Sequence, residues 1–393
     1  VSEMSGVLPR FAPDGAVSFN GALDAQTTCL CSRRPDGSHP QVLIAATEIA
    51  LDWHDWPQAA GAAQSTDAIG SRPVPGRVLL VLAGIDGSRT LVSASPDLIR
   101  RRTLSLPSGL TPRTARWAAD GESILFTADV SIGQTRDPHP AAPAGATRRA
   151  HVTLEDFSPT GLAQRQQHVA ALPSDTAAEQ VFLRAPDGSV LQLTDPWIED
   201  WQDGLAPGDA RGNTSPVPTP DGQAVLVRNV STLTGESFIL RIDLRTGEVR
   251  NLTNGTAGVL PTDDADPAVS PDGHRVAFAW TEGDRRGIYV MDATTGKAVT
   301  PTAASPAAGT PTWSPDGAHL AVVVTDADGR SRIQRVAGSG GGSAVPLSAV
   351  TPALAPDYSP DGSQLVFLGP SGAVIGLYAV PADGGASARS VLV

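Results

Sequence analysis

Two short segments concentrate side chains able to bind or to do chemistry. The first is Asp52-Trp53-His54-Asp55-Trp56, and the second holds Trp197, Glu199, Asp200, Trp201 and Asp203. Indole rings beside carboxylates suit a sugar face, a cationic group or a protein partner, because the ring offers apolar area and the acids accept hydrogen bonds. The competing role for the same tryptophans is packing between structural units, with the acids in solvent. Histidines stand at 39, 54, 139, 151, 168, 274 and 319, without the spacing of a local zinc site. His54, His151 and His168 would be the first candidates for a metal site assembled from distant parts of the chain. Asp263, Asp264 and Asp266, and the run Asp326-Ala327-Asp328-Gly329, could face a hard cation. Neither carries the terminal Glu of an EF-hand loop. No cofactor is expected, and calcium is the ion these acids would suit. Cys29 and Cys31 lie two apart; on a strand their Cα atoms would be roughly 6.5–7 Å apart, at the edge of disulfide reach. Two reduced thiols are the simpler expectation.

Charge narrows the partners. Acidic residues outnumber basic ones 41 to 29, a formal charge of −12, and Lys297 is the single lysine. Nucleic-acid binding calls for a basic stripe that neutralises phosphates, so no nucleic-acid partner is expected. No apolar run approaches the roughly 18 residues that cross a bilayer, so no transmembrane segment is expected. The sequence starts at Val1 with neither the basic nor the apolar region of a signal peptide.

The elements that must position these residues are announced by a recurring turn. Pro-Asp-Gly stands at 13–15, 220–222, 271–273, 315–317 and 360–362, with degenerate copies at Pro75-Gly76, Ala119-Asp120-Gly121 and Pro159-Thr160-Gly161. Proline presets φ at the first central turn position, Asp bonds forward to the backbone, and Gly accepts the positive φ that closes the hairpin. An aromatic often precedes the turn (Trp117, Phe157, Trp313, Tyr358), and an apolar strand follows, as in RVAFA at 275–279, HLAVVV at 319–324 and QLVFL at 364–368. A second family of turns, Asp36-Gly37, Asp187-Gly188 and Asp383-Gly384, fits the hairpin between the two outer strands of each unit.

The turn glycines fall at 15, 76, 121, 161, 222, 273, 317 and 362. A period of about 45–50 residues with four short strands per unit predicts propeller blades. The expected fold is therefore all-β: one propeller of four-stranded antiparallel blades spanning 1–393, eight blades favoured and seven the alternative. The third unit is the irregular one, because a Pro/Ala/Gly-rich stretch at 137–145 follows its ESILFTA strand. A shift of 146 residues superposes Gly15 on Gly161 and Gly76 on Gly222, and brings the two Asp/Trp segments near each other. Both segments are then expected in connections between blades, on the face where such connections open. Arg10, Arg116, Asp156 and Asp357, each next to a turn aromatic, are expected on innermost strands near the tunnel mouth.

With proline, an aromatic and Ser-Pro-Asp-Gly before an apolar strand, as in Pro311-Thr312-Trp313-Ser314-Pro315-Asp316-Gly317, the chain resembles the TolB-like, WD-repeat-like bacterial propellers. The resemblance is strongest from about 214 to 393. It implies fold far more than activity, since the repeated residues build turns and blade packing. Relatives include periplasmic scaffolding proteins and propeller domains of serine peptidases. No Gly-x-Ser-x-Gly nucleophile elbow occurs here, so a complete peptidase of that type is not expected. The expected function is binding rather than catalysis: a monomeric scaffold at the cell envelope or outside the cell, recognising a protein or glycan partner. The alternative is a propeller lyase or glycan hydrolase with its site at the central tunnel.

Overall fold

A computed structural model describes residues 9–11, 17–22, 28–36, 38, 41–45, 49–55, 78–83, 86–94, 100–131, 146–148, 177–194, 211–231, 235, 237–253, 260–261, 267–282, 285–305, 307–339, 343–371, 374–385 and 387–391. Among these residues there are no helices and seven sheets, spanning 10–45, 49–104, 112–192, 211–251, 260–305, 307–346 and 354–390. Apart from the third and fifth, each sheet is a four-stranded meander in which consecutive strands pair antiparallel. Two sheets depart from four plain strands. In the third, Ala146–Arg148 adds in parallel to the outer strand Val190–Gln192. In the fifth, the first strand is split into Leu260–Pro261 and Ala268–Val269, both paired with Arg275–Glu282.

The turn chemistry accounts for the sheets one residue at a time. Gly121, Gly222, Gly273, Gly317 and Gly362 have φ between 68 and 76°. Ahead of four of these turns, Thr219, Ser270, Ser314 and Ser359 donate a hydroxyl hydrogen bond to the turn aspartate at 2.5–2.6 Å. The same hydroxyl oxygens accept the backbone N–H of Ala224, Arg275, His319 and Gln364 at 2.9–3.0 Å. One Ser or Thr thereby ties the end of the first strand to the start of the second. The turns also meet across sheets. A Cβ on Gly273 would lie 3.3 Å from Pro220, one on Gly317 3.7 Å from Pro271, and one on Gly362 3.5 Å from Pro315. The proline of one unit therefore packs on the glycine of the next.

Apolar clusters fill the seams between neighbouring sheets. Leu79 and Val81 meet Phe126 and Phe182; Leu125 and Val181 meet Val225 and Leu240; Leu226 and Ile239 meet Val276 and Phe278. Ala277 and Ile288 meet Leu320 and Val322, and Ile333 meets Leu365 and Phe367. The ring closes where Phe11 and Val17 of the first sheet pack on Val366, Leu368 and Leu377 of the seventh. There the Phe11 amide donates to Asp357 Oδ2 at 3.3 Å. First strands of successive sheets touch all the way round, from Arg10–Phe11 through to Leu354–Tyr358 and back. Among the described residues no strand is exchanged between the terminal sheets, and Arg389–Ser390 completes the seventh from within its own segment.

Seven sheets are present among the described residues; Gly161, one of the eight turn markers, lies outside those residues, between Ile124–Ser131 and Ala177–Arg184 in chain order, two strands that pair directly. The third and fourth sheets pack on each other.

The Tyr358 hydroxyl is one of the core polar atoms left over. Tyr358 is 7% exposed, and its hydroxyl has no hydrogen-bond partner among the described residues. Burial pushes its pKa up to about 12. Trp313, at the same repeat position, donates instead to the Ala268 carbonyl at 2.9 Å. Tyr358→Phe is accordingly expected to leave stability unchanged or to raise it by up to about 1 kcal/mol, since the phenol loses its hydration on folding and gains nothing in return. A urea titration checks this; a loss above that size would reveal a partner for the hydroxyl.

Candidate functional site

Of the two Asp/Trp segments, the described residues include Asp52 to Asp55 of the first. Asp52, Trp53, His54 and Asp55 lie on the first strand of the second sheet, Ile49–Asp55, opposite Val81, Leu80, Leu79 and Val78. They are part of the inner ring, against Pro112–Trp117 of the third sheet, and not in a connection between sheets. Trp56, Trp197, Glu199, Asp200, Trp201 and Asp203 lie outside the described residues. By chain order the last five belong to residues 195–210, which join the third sheet to Arg211 of the fourth. The shift of 146 residues sets Asp52 to Asp55, on a first strand, against residues 198–201, which lie outside the described residues.

The remaining candidates divide in the same way. His151, His168, Asp156, Asp263, Asp264 and Asp266 lie outside the described residues. Arg10 and Arg116 stand on first strands as expected, and Asp357 closes the ring as above. The Asp326 carboxylate caps its own hairpin, accepting the amides of Asp328 and Arg330 at 3.0 and 2.9 Å, and its other oxygen faces Arg332 at 3.8 Å. Among the described residues no group of three His, Cys, Asp or Glu is placed to hold a metal ion.

What sequence spacing misses is a buried polar network where the third and fourth sheets meet. Gln180, Asn213, Asn229 and Thr194 are all 0% exposed. Gln180 Nε2 donates to the Arg211 carbonyl at 2.8 Å, and its Oε1 accepts from Thr194 Oγ1 and Asn213 Nδ2, both at 2.9 Å. Asn229 Nδ2 donates to Asn213 Oδ1 at 3.0 Å, and Thr194 Oγ1 accepts the Val181 amide at 2.8 Å. Arg211, 5% exposed, lies 5.3 Å from the Phe238 ring centroid. Asn229 Oδ1 has no partner among the described residues, a buried acceptor open to a ligand or to a neighbouring connection.

Charged groups adjoin this network on the third sheet. Arg113 holds Asp129 in a bidentate pair at 2.7 and 2.9 Å. Asp129 stands directly opposite Glu179, whose backbone packs on Gly212. Burial pushes the Glu179 carboxyl above its ordinary range; the Thr127 hydroxyl and Arg113 oppose that, and Asp129 adds to it. The site thus sets an ion-paired carboxylate opposite one that burial inclines to keep its proton. The signal that could have revealed it is the interruption of apolar strands by Gln180 and Asn229, at positions where alternation calls for core residues.

The turn aspartates are perturbed too, for a structural reason. Asp316 and Asp361 are held below the ordinary carboxylate range first by the hydroxyls of Ser314 and Ser359, then by the amides of Ala318 and Ser363. For Asp221 and Asp272 burial pulls the other way and is outweighed by the Thr219 or Ser270 hydroxyl and a backbone amide. With folded pKa values depressed, the stabilisation is complete above the unfolded carboxylate range of about pH 4 and is lost as pH falls through the folded values. Urea midpoints from neutral pH downward are expected to fall steeply below about pH 4. A double Asp316→Asn, Asp361→Asn variant is expected to be weaker at neutral pH with a shallower acid loss; parallel curves would remove these turns as the cause.

Comparison with known proteins agrees with this architecture. Residues 207–391 match the TolB beta propeller domain. No curated protein matches the sequence. An oligogalacturonate lyase solved in complex with manganese is similar in structure, with TM-score 0.60 and 13% identity over 95% of this chain and 88% of that one. A prolyl endopeptidase matches with TM-score 0.59 and 12% identity over 99% of this chain but 50% of its own. TolB from Acinetobacter baumannii matches with TM-score 0.47 and 17% identity over 94% of this chain and 77% of its own. At such identities the likeness is one of fold.

Proposed function

We propose that this chain, a TolB-like β-propeller over residues 207–391, is a binding scaffold without chemistry of its own. It acts outside the cytoplasm and recognises a protein or glycan partner. The observation that carries this reading is the junction of the third and fourth sheets. Residues 195–210, with Trp197, Glu199, Asp200, Trp201 and Asp203, enter the fourth sheet at Arg211, whose carbonyl is held by fully buried Gln180. A long connection rich in aromatic and acidic side chains, rooted in a rigid network, is the usual build of a recognition loop on a propeller. Asp52, Trp53, His54 and Asp55 lie on Ile49–Asp55 of the second sheet, the strand that packs against Pro112–Trp117 of the third. In this reading both segments contribute to partner recognition.

The test is alanine replacement of Trp197 and Trp201 singly, with partner capture and melting temperature both measured. Loss of capture at an unchanged melting temperature supports the reading; unchanged capture with a lowered melting temperature assigns the tryptophans to packing and removes the site.

A second reading has one specific observation behind it: Glu179, which burial inclines to keep its proton, opposite Asp129 in its ion pair with Arg113. A pair of carboxyl groups in different surroundings is what a glycan hydrolase or lyase needs for acid and base roles. Turnover of an acidic oligosaccharide that disappears in Glu179→Gln would favour the enzyme.

A further inference from the structure

We infer that Ala146–Arg148 is a strap that braces the base of residues 195–210, so that its docking on the third sheet controls the stiffness of the recognition connection. Its bearing on partner capture rests on the binding reading above; its mechanics do not. The strap stands outside the blade repeat. It is a three-residue strand within residues 132–176, which join Ile124–Ser131 to Ala177–Arg184 in chain order. It runs parallel to the outer strand Val190–Gln192, with Ala146, Thr147 and Arg148 opposite Val190, Leu191 and Gln192, in the one parallel pairing among the described residues. A ladder so short, parallel and at the edge of a sheet is marginal on its own. Ser131 and Ala177 already pair with each other, so the strap can leave and return without disturbing the strands on either side of it in the chain.

From the docked edge, hydrogen bonds run to both ends of residues 195–210. Gln192, 2% exposed, donates through Nε2 to the Thr194 carbonyl at 2.7 Å. Thr194, the residue before the connection, accepts the Val181 amide at 2.8 Å and donates its hydroxyl to Gln180 Oε1 at 2.9 Å. Gln180 Nε2 then donates to the carbonyl of Arg211, the residue after the connection, at 2.8 Å. One glutamine side chain thus ties the two ends of the connection together, and another ties its near end to the strand on which the strap docks.

Val190–Gln192 is itself only three residues long, held by Phe182, Leu183 and Arg184 on one side and by the strap on the other. Loss of the strap turns it into an edge, and short edge strands fray before the rest of a sheet. Gln192 then loses its fixed position, and the Thr194 carbonyl its donor. Linkage makes the effect mutual: whatever stiffens the base of residues 195–210 also favours the docked strap.

Hydrogen exchange read by mass spectrometry on the full chain tests the strap without any partner. In the Thr147→Pro, Arg148→Pro double variant, adjacent prolines remove the ladder donor whichever of the two residues faces Val190–Gln192. Exchange at Leu193–Thr194 and at Arg211–Thr214 is expected to rise about tenfold, with the seam of Phe11 and Leu368 unchanged. Gln192→Met, which keeps bulk but not the donor, is expected to give a similar rise, and to add little when combined with the prolines, because both changes break one series of bonds. Unchanged exchange at Arg211–Thr214 in the proline variant, additive rises in the combined variant, or a rise spread over the whole ring would each overturn the strap. Unchanged partner capture in Trp197→Ala would instead remove the recognition role of residues 195–210 and leave these exchange results standing, so the two failures are told apart.

Discussion

Gly296→Ala is expected to destabilise the protein by about 3–5 kcal/mol. Gly296 sits in the outer hairpin of the fifth sheet at φ 69°, with its amide bonded to the Asp292 carbonyl at 3.0 Å. A Cβ there would lie 2.2 Å from the Leu252 carbonyl oxygen and 2.9 Å from its carbonyl carbon and Cα. Those atoms are backbone, and Leu252 is itself fixed, 1% exposed and bonded to the Ile239 carbonyl at 2.8 Å. Relief thus requires the seam between the fourth and fifth sheets to open, on top of a left-handed conformation that costs an alanine about 1 kcal/mol. Gly329 supplies the control: its φ is 76° and a Cβ would meet nothing within 4 Å, so Gly329→Ala carries the conformational cost alone, about 1 kcal/mol. Urea unfolding of both variants reads the difference. Equal losses would mean that the seam yields freely and that the sheets are not held as tightly as their contacts indicate.

Turn chemistry made most of this fold legible from sequence. Pro-Asp-Gly at 315–317 specifies a fixed φ, an acceptor and a positive φ in adjacent positions: Asp316 accepts the Ala318 amide and Gly317 takes φ 68°, while the part of the Ser314 hydroxyl in tying the strand ends emerges only in the structure. The strands after Gly273, Gly317 and Gly362 follow where apolar runs place them, at Arg275–Glu282, His319–Thr325 and Gln364–Ser371. Sheet number was less legible, because a Pro/Gly turn signal is local and arises in any connection of that composition. That Ile124–Ser131 pairs with Ala177–Arg184 across residues 132–176 is a non-local fact that no turn signal registers. The polar network was less legible still. Gln180, Thr194, Arg211, Asn213 and Asn229 come from several strands of two sheets, and no spacing along the chain registers their convergence. The Asp52 to Asp55 segment was misplaced for a related reason: its composition suggests a loop, while its pairing with Val78–Ala83 makes it a strand.

Gln180→Leu should have the largest effect among polar substitutions, about 3–5 kcal/mol, although leucine is of similar size. The amide serves three buried partners at once, and its removal leaves the Thr194 hydroxyl, the Asn213 amide and the Arg211 carbonyl without their bonds in a region closed to water. Each orphaned group costs its desolvation, which exceeds the net worth of the bond it made. Adding Asn213→Leu removes one of the orphans, so the double variant should lose less than the sum of the singles, with a coupling of about 1 kcal/mol or more. The same cycle connects stability to binding. Arg211 is where residues 195–210 enter the fourth sheet, so loss of Gln180 should raise hydrogen exchange at Arg211–Thr214 before it does so at the distant seam of Phe11 and Leu368. Partner capture should weaken in step with that local exchange. Uniform exchange across the ring would show that the network only contributes to global stability, and the case for a rigid base beneath a recognition loop would fail with it.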